Sequence, residues 1–408
     1  MTPPLLPDPG PGAARSARPV LEVLLAFLKL GCSSFGGPVA HLGYFRTEFV
    51  ERRRWLDDAS YSDLVALCQF LPGPASSQVG MALGLGRAGW AGALAAWAGF
   101  TLPSAAAMIL FAYGVAHWSG LAASGAVHGL KVVAVAVVAQ AVWGMARSLC
   151  PDITRAALAL AAALLMRAVP TALGQMLALV LGGLAGWMLL RLPPLPPQQH
   201  RDLGVSRRTG ATLLLVFAAL LLLLPALGAA TGWMPLAAVA VVYQAGALVF
   251  GGGHVVLPLL QAGVVPPGWV GNEAFVAGYG AAQAVPGPLF TFAAYLGAVM
   301  PAPLGGWWGG LLLLLAIFVP AFLLVIGALP FWETLRQRLA FRQAVGGLNA
   351  AVVGVLAAAL YDPVWTSAIH STADLALALT ALVLLVFARL SPIWVVLGTA
   401  LAGWALGV

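Results

Sequence analysis

An all-α polytopic membrane protein is the fold class this sequence predicts, and three observations predict it. First, 8% of the 408 residues are charged and 61% are hydrophobic, and the mean hydropathy is +0.95. Soluble domains carry about 25% charged residues, so most of this surface faces something other than water. Second, apolar runs of about 20 residues, the length that crosses a bilayer as a helix, recur along almost the whole chain. They are continuously apolar and rich in Leu and Ala, without the short alternating strands of a spanning β-barrel. Third, a pair of motifs occurs twice. Phe35-Gly36-Gly37-Pro38 is followed by Gln69-Phe70-Leu71-Pro72-Gly73-Pro74, and Phe250-Gly251-Gly252-Gly253 by Gln283-Ala284-Val285-Pro286-Gly287-Pro288. The copies are offset by 215 residues at the first motif and 214 at the second. Trp55 and Trp269, Tyr61 and Phe275, and Ser77 and Thr291 fall in register, and Trp90 and Pro103 find Trp307 and Pro320 at 217. Ordered matches with so little drift point to a duplication.

Taken in order, residues 1–19 are rich in Pro and Gly, lack an apolar stretch ahead of a cleavage site, and read as a disordered tail rather than a signal peptide. The first repeat, residues 20–192, supplies apolar segments at about 20–42, 60–86, 89–116, 125–147, 153–166 and 171–190. Residues 193–232 are a Pro-rich linker and one extra apolar helix, at about 212–227. The second repeat, residues 233–408, supplies segments at about 236–260, 275–299, 306–329, 345–360, 375–387 and 393–405. That makes about thirteen candidate spans, and the segments broken by the motifs are either full spans or re-entrant hairpins. Seven spans ahead of the second repeat turn it over in the membrane, giving two inverted-topology repeats with broken helices, an arrangement that secondary transporters use.

With a cytoplasmic N-terminus, thirteen arginines fall in inner segments and five in outer loops, which predicts N-inside and C-outside. The outlier is Arg52-Arg53-Arg54: either the first broken segments do not fully cross, or this loop is an anion-attracting vestibule or simply a solvated charged turn.

A helix broken inside the bilayer exposes backbone amides that only protein or a wet cavity can satisfy. The free N–H groups that open a half-helix, with the positive end of its dipole, form an anion site. Ser76, Ser77 and Thr291 follow the two Pro-Gly-Pro breaks and offer hydroxyls; Gln69 and Gln283 precede them as neutral donors. Lys29 and Lys131 sit within apolar stretches, where a charge is either functional or paired. For Lys29 the paired alternative is Glu22, two helical turns away; Lys131 stands where the second repeat has Asn349. His41 and His254 follow the Gly-rich breaks and are either titrating groups or packing residues. Cys32, Cys68 and Cys150 show neither metal-ligand spacing nor a disulfide framework.

Phe-Gly-Gly-Pro, the Arg-rich Trp55 loop, Gln-x-x-Pro-Gly-Pro and their doubling closely resemble the chromate ion transporter family, over nearly the whole chain and in its long, two-domain form. The family's motif positions fall on Phe35, Gly36, Gly37, Pro38, Gln69, Pro72, Gly73 and Pro74. They fall less completely on Gly251, Gly252, Gln283, Pro286, Gly287 and Pro288, with Gly253 where the first copy has Pro38. The resemblance implies a plasma (inner) membrane exporter of chromate, proton-coupled in some form, that confers chromate resistance. The residues themselves do not separate chromate from sulfate, which has the same charge and nearly the same shape, and a channel is a further rival. An intramembrane enzyme is disfavoured: the sequence holds no Ser-His-Asp set, no His-Glu-x-x-His and no Walker motif. No cofactor, metal or nucleic acid is expected; the expected partners are a small oxyanion and the lipid bilayer, and a homo-oligomer is left open.

Overall fold

The computed structural model describes residues 18–35, 37–117, 125–193, 204–250, 253–388 and 390–406, and among them every regular element is helical. Helix α1 (Pro19–Ser33) opens on a proline, which loses nothing in a first turn, and buries Val23, Ala26, Phe27 and Leu30 along one stripe. Its 15 residues span about 22 Å, short of a hydrocarbon core of about 30 Å. The chain then reverses at Ser34 to Gly37, where Gly37 takes φ +76°, and α2 (Gly37–Phe45) runs back beside α1. Phe27 packs on Phe45 at 5.4 Å and Phe49 at 4.8 Å, and Glu22 at the start of α1 meets Arg53 at 3.5 Å. The two helices are a hairpin with its tip inside the protein.

Helix α3 (Asp58–Phe70), capped by the Asp57 carboxylate accepting from the Ser60 amide, runs inward beside this hairpin, its Tyr61 hydroxyl donating to the Leu42 carbonyl. The Pro72-Gly73-Pro74 break stops it, and the first limb of α4 (Ala75–His117) returns to the same end, where Arg87 meets Glu22 at 2.9 Å. At Ala88 and Gly89 the chain reverses again, Gly89 at φ +64°, with Gly84 and Gly92 in backbone contact. The second limb, residues 90–117, is about 42 Å long and crosses the molecule.

The second half carries a comparable series of short helices and one long one. Helices α9 (Met234–Ala247) and α10 (Val256–Val264) face each other across Gly263 and Val241. Helices α11 (Asn272–Ala282) and α12 (Phe292–Val299) flank the second Pro-Gly-Pro, and α12 turns tightly into the crossing helix α13 (Gly306–Ala328), Gly297 against Gly309. Helix α13 is antiparallel to the long limb of α4: Gly306 faces Tyr113, Gly310 faces Ile109, Phe318 faces Trp97 and Phe322 faces Trp90.

Helices α5 (Gly125–Leu149), α6 (Ile153–Ala168) and α7 (Ala172–Leu189) complete the first half; short α14 (Trp332–Gln337), then α15 (Leu339–Ala359), α16 (Thr372–Val386) and α17 (Pro392–Leu406) complete the second. These outer helices are exchanged. Helices α6 and α7 pack on α15, while α16 and α17 pack on α5. Glycines permit the approach, Gly182 and Gly186 against Gly347, and Gly125 and Gly129 against Gly403 and Thr399, the small-residue contact that membrane helices favour. Between the halves, the fully buried Trp332 indole and the Arg336 guanidinium both donate to the Asp63 carboxylate, at 3.1 and 2.9 Å. Helix α8 (Arg207–Thr231), the extra helix of the linker region, lies outside on α9 and α13, and only 6% of its apolar window is buried. A helix so apolar and so exposed has lipid as its solvent.

Among the described residues, five helical stretches are long and apolar enough to cross a membrane: Ala75–Gly114, Gly125–Leu149, Arg207–Thr231, Gly306–Gln337 and Leu339–Ala368, with five shorter apolar helices beside them. Within the segments expected at 20–42, 60–86 and 275–299 the chain turns at Gly37, Gly73 and Gly287, each at positive φ, instead of running on as one straight helix. One consequence is electrostatic. Arg46 and Arg52-Arg53-Arg54 lie at the same end as Arg87, Arg147, Arg155, Arg191, Arg207 and Arg342; among the described arginines Arg167, over the Tyr361 ring, lies at the other end. Residues 1–17 of the expected tail lie outside the described residues.

Candidate functional site

The four breaks meet. The Gly73 amide donates to the Val249 carbonyl at 2.7 Å, and the Gly287 amide donates to the Ser34 carbonyl at 2.8 Å. Each hydrogen bond joins a Pro-Gly-Pro of one half to the residue that precedes the Phe-Gly-Gly of the other half, at positions offset by 214 and 215. Both donors are glycines with φ of +120° and +99°, a backbone region that a side chain would strain. A Cβ on Gly73 would face Gln78 and Ala321; one on Gly287 would face Ser104 and the Phe100 carbonyl, and Ala321 and Ser104 are again matched, 217 apart.

Around this crossing point polar groups are buried without hydrogen-bond partners. They include the hydroxyls of Ser34, Ser77 and Thr101, Nε2 of His41, Oε1 of Gln78 and Nε2 of Gln283. Unpartnered polar atoms each cost about 1–3 kcal/mol, so a concentration of them marks a place built for something else to bind. The first limb of α4 aims its N-terminus here. Its opening amides have no intrahelical acceptor, and the residue before it, Pro74, has no side-chain oxygen to cap them. Ser76 and Ser77 occupy its first turn, both 2% exposed; Ser76 lies 3.3 Å from Nδ1 of His41, whose ring stands edge-on to Phe100. On the other side His254 hydrogen-bonds the Tyr279 hydroxyl at 2.7 Å. These are neutral donors around a positive helix end, an arrangement that suits a desolvated anion.

Not every expected residue contributes. Phe35, Pro38, Pro72, Pro74, Pro286 and Pro288 shape the tips, with the Pro72 carbonyl held by the Gln78 amide at 2.8 Å. Gly36, Gly251 and Gly252 lie outside the described residues. Thr291 turns its hydroxyl onto the Pro288 carbonyl, at 3.0 Å, and so closes its own turn. Gln69 is exposed on α3; the buried amide at the first break is Gln78 instead. Lys29 is exposed on α1, and its expected alternative partner Glu22 is taken by Arg53 and Arg87. Lys131 is buried on α5 and lies 4.0 Å from Glu273 at the opening of α11. Ser34, Thr101 and Gln78 were missed because they stand outside the repeated motifs; the signal available was a lone polar residue in an apolar run.

The Arg52 loop is a clasp rather than a free patch. Arg53 pairs with Glu48 at 2.7 Å, and Arg53 and Arg87 both stand over the Trp55 ring, at 5.8 and 5.4 Å. Burial alone would raise the Glu48 carboxyl, but the Arg53 hydrogen bond and charge, with Lys29 and Arg52, hold it below the usual carboxylate range. A separate cavity of about 400 Å³ between α7 and α15 is lined by apolar side chains throughout and holds no donor for an anion.

The chromate transporter family's sequence pattern matches residues 21–187 and, a second time, residues 236–404. This chain belongs to that family. It is 28% identical over 389 residues to the chromate transport protein of Cupriavidus metallidurans, covering 94% of this chain and 92% of that one. It is 28% identical over 341 residues to a probable chromate transport protein of Synechococcus elongatus, 82% of each chain, and 27% identical over 357 residues to the chromate transport protein of Pseudomonas aeruginosa, 84% and 80%. No solved structure matches the chain. Membership of the chromate transporter family points to a transporter rather than an enzyme, and the two matched stretches are those that carry the four breaks.

Proposed function

We propose that this protein is a secondary transporter that exports chromate across the plasma membrane, binding the dianion where the four broken-helix tips meet. The observation that carries the reading is the reciprocal pair of hydrogen bonds, Gly73 to Val249 and Gly287 to Ser34, beside the unpartnered Ser34, Ser77 and Thr101 hydroxyls. Residues 20–192 and 233–408 act as inverted repeats, each lending two re-entrant hairpins and one crossing helix. The matched offsets and the antiparallel pairing of α4 with α13 support this. The clustering of arginines at the end shared by α1, Arg87 and Arg342 supports a cytoplasmic N-terminus and an external C-terminus. Helix-end amides and hydroxyls bind a tetrahedral dianion without protonating it, and release it when the two halves tilt and the tips part. Proton coupling is assigned to His41, the imidazole buried against Ser76 with a second nitrogen unpartnered.

Chromate uptake into everted membrane vesicles, with and without a proton gradient and excess sulfate, tests the reading. Saturable uptake that a collapsed gradient slows supports it. Uptake in right-side-out vesicles only would reverse the direction. Complete block by sulfate with poor chromate flux would make the protein a sulfate carrier.

A further inference from the structure

The cavity of about 400 Å³ is walled by α7 through Leu179, Gly183 and Trp187 and by α15 through Ala344 and Leu348, and floored by Phe250. Every lining side chain is apolar, and Trp187 is 52% exposed. One end of the groove is basic. Arg191 follows α7, Arg338 precedes α15, and Arg342 crosses between them to donate to the Pro193 carbonyl at 2.8 Å, while Gln343 holds the Leu190 carbonyl. An apolar groove with a half-exposed tryptophan on its wall, whose two walling helices are flanked at one end by three arginines, matches one chemistry, a chain that is apolar along its length and anionic at its head.

We propose that this groove holds one acyl chain of an anionic phospholipid, its phosphate seated at Arg191, Arg338 and Arg342. The chain lies against Phe250, the first residue of the second Gly-rich break, so the lipid braces a hairpin tip from behind. Nothing in this depends on which anion the tips carry.

The test is native mass spectrometry of the purified full-length protein titrated with phosphatidylglycerol or with phosphatidylcholine of the same chains. Wild type should retain one phosphatidylglycerol at about 100-fold lower lipid than phosphatidylcholine requires, each of the three surface arginines being worth about fivefold. Gly183→Leu fills the slot, since a Cβ there finds its nearest neighbours at 3.8 and 3.9 Å, and should reduce both lipids. Arg191→Gln with Arg342→Gln should cost phosphatidylglycerol about 25-fold and leave a residual preference of about fivefold from Arg338. Arg191→Gln alone, which disturbs no described contact, should give about a fivefold loss if the double variant does not fold. Equal retention of the two lipids by wild type, or wild-type retention by Gly183→Leu, overturns the proposal. So does a wild-type dimer that Gly183→Leu dissociates, which would make the occupant a second copy of this chain.

Discussion

Gly287→Ala is the sharpest perturbation of the tips. The residue sits at φ +99°, where a side chain costs on the order of 1–3 kcal/mol in backbone strain. Its Cβ would also stand 2.6 Å from Ser104 Oγ and 3.1 Å from the Phe100 carbonyl, and a backbone oxygen cannot rotate away. A total of about 3 kcal/mol against the paired arrangement is a factor of about 150 in its population. At Gly73, φ +120°, the closest atom to a new Cβ is instead the Gln78 amide at 2.9 Å, the far end of a flexible side chain, so Gly73→Ala should be the milder change. Chromate flux in everted vesicles, with membrane insertion checked by reporter fusion, should rank wild type above Gly73→Ala above Gly287→Ala. Ser104→Gly should rescue part of the Gly287→Ala loss, because it removes the side-chain clash and leaves the strain. Wild-type flux in Gly287→Ala, or the reverse ranking, would refute the claim that the tip hydrogen bonds form the working site.

Three further outcomes follow from the same geometry. Ser77→Ala should weaken chromate affinity about 10-fold or more, as expected for losing a hydrogen bond to a charged group, while Gln69→Ala on the exposed face of α3 should transport like wild type; concentration-dependent flux reads both. Asp63→Asn removes one of the two carboxylates that Arg336 meets, Glu333 remaining at 2.8 Å, and should destabilise by about 1–3 kcal/mol, seen as a lower melting temperature in detergent, with Arg336→Gln in the same chain recovering part. Glu48 lies in the turn beyond α2 and titrates below its unfolded value of about 4.3, so its contribution is present above that pH and is lost as the pH falls through the lower folded value. Melting temperatures at pH 6 and pH 3 should therefore differ more for wild type than for Glu48→Gln.

The helical membrane class was legible because it rests on composition and run length, which no tertiary contact alters. The places where the chain breaks were equally legible, since Gly37, Gly73 and Gly287 announce positive φ directly. What the breaks do was not. Whether a helix bends or reverses at a Pro-Gly-Pro depends on what its far end touches, and the Glu22–Arg87 pair that closes the first hairpins joins residues 65 apart. For the same reason Arg52-Arg53-Arg54 looked misplaced: counting spans moved the loop across the membrane, while the hairpins keep it at the N-terminal end. Within the site, motif residues marked the tips, but the buried donors beside them, Ser34, Gln78 and Thr101, come from flanking turns whose direction only packing sets.

The crossed pairing of the tips sets a timetable for biogenesis. Gly73 leaves the ribosome about 176 residues before Val249, its hydrogen-bond partner, which at 5–20 residues per second is an interval of about 10–35 s. Through that interval the first two hairpins wait with an open tip; α6 waits still longer for α15, Ala159 meeting Gly354, and α7 nearly as long, Gly182 meeting Ala351. The first half must therefore persist as an inserted but unfinished body, which makes the tip-facing surface of α4 the part of the nascent chain most in need of a chaperone's cover.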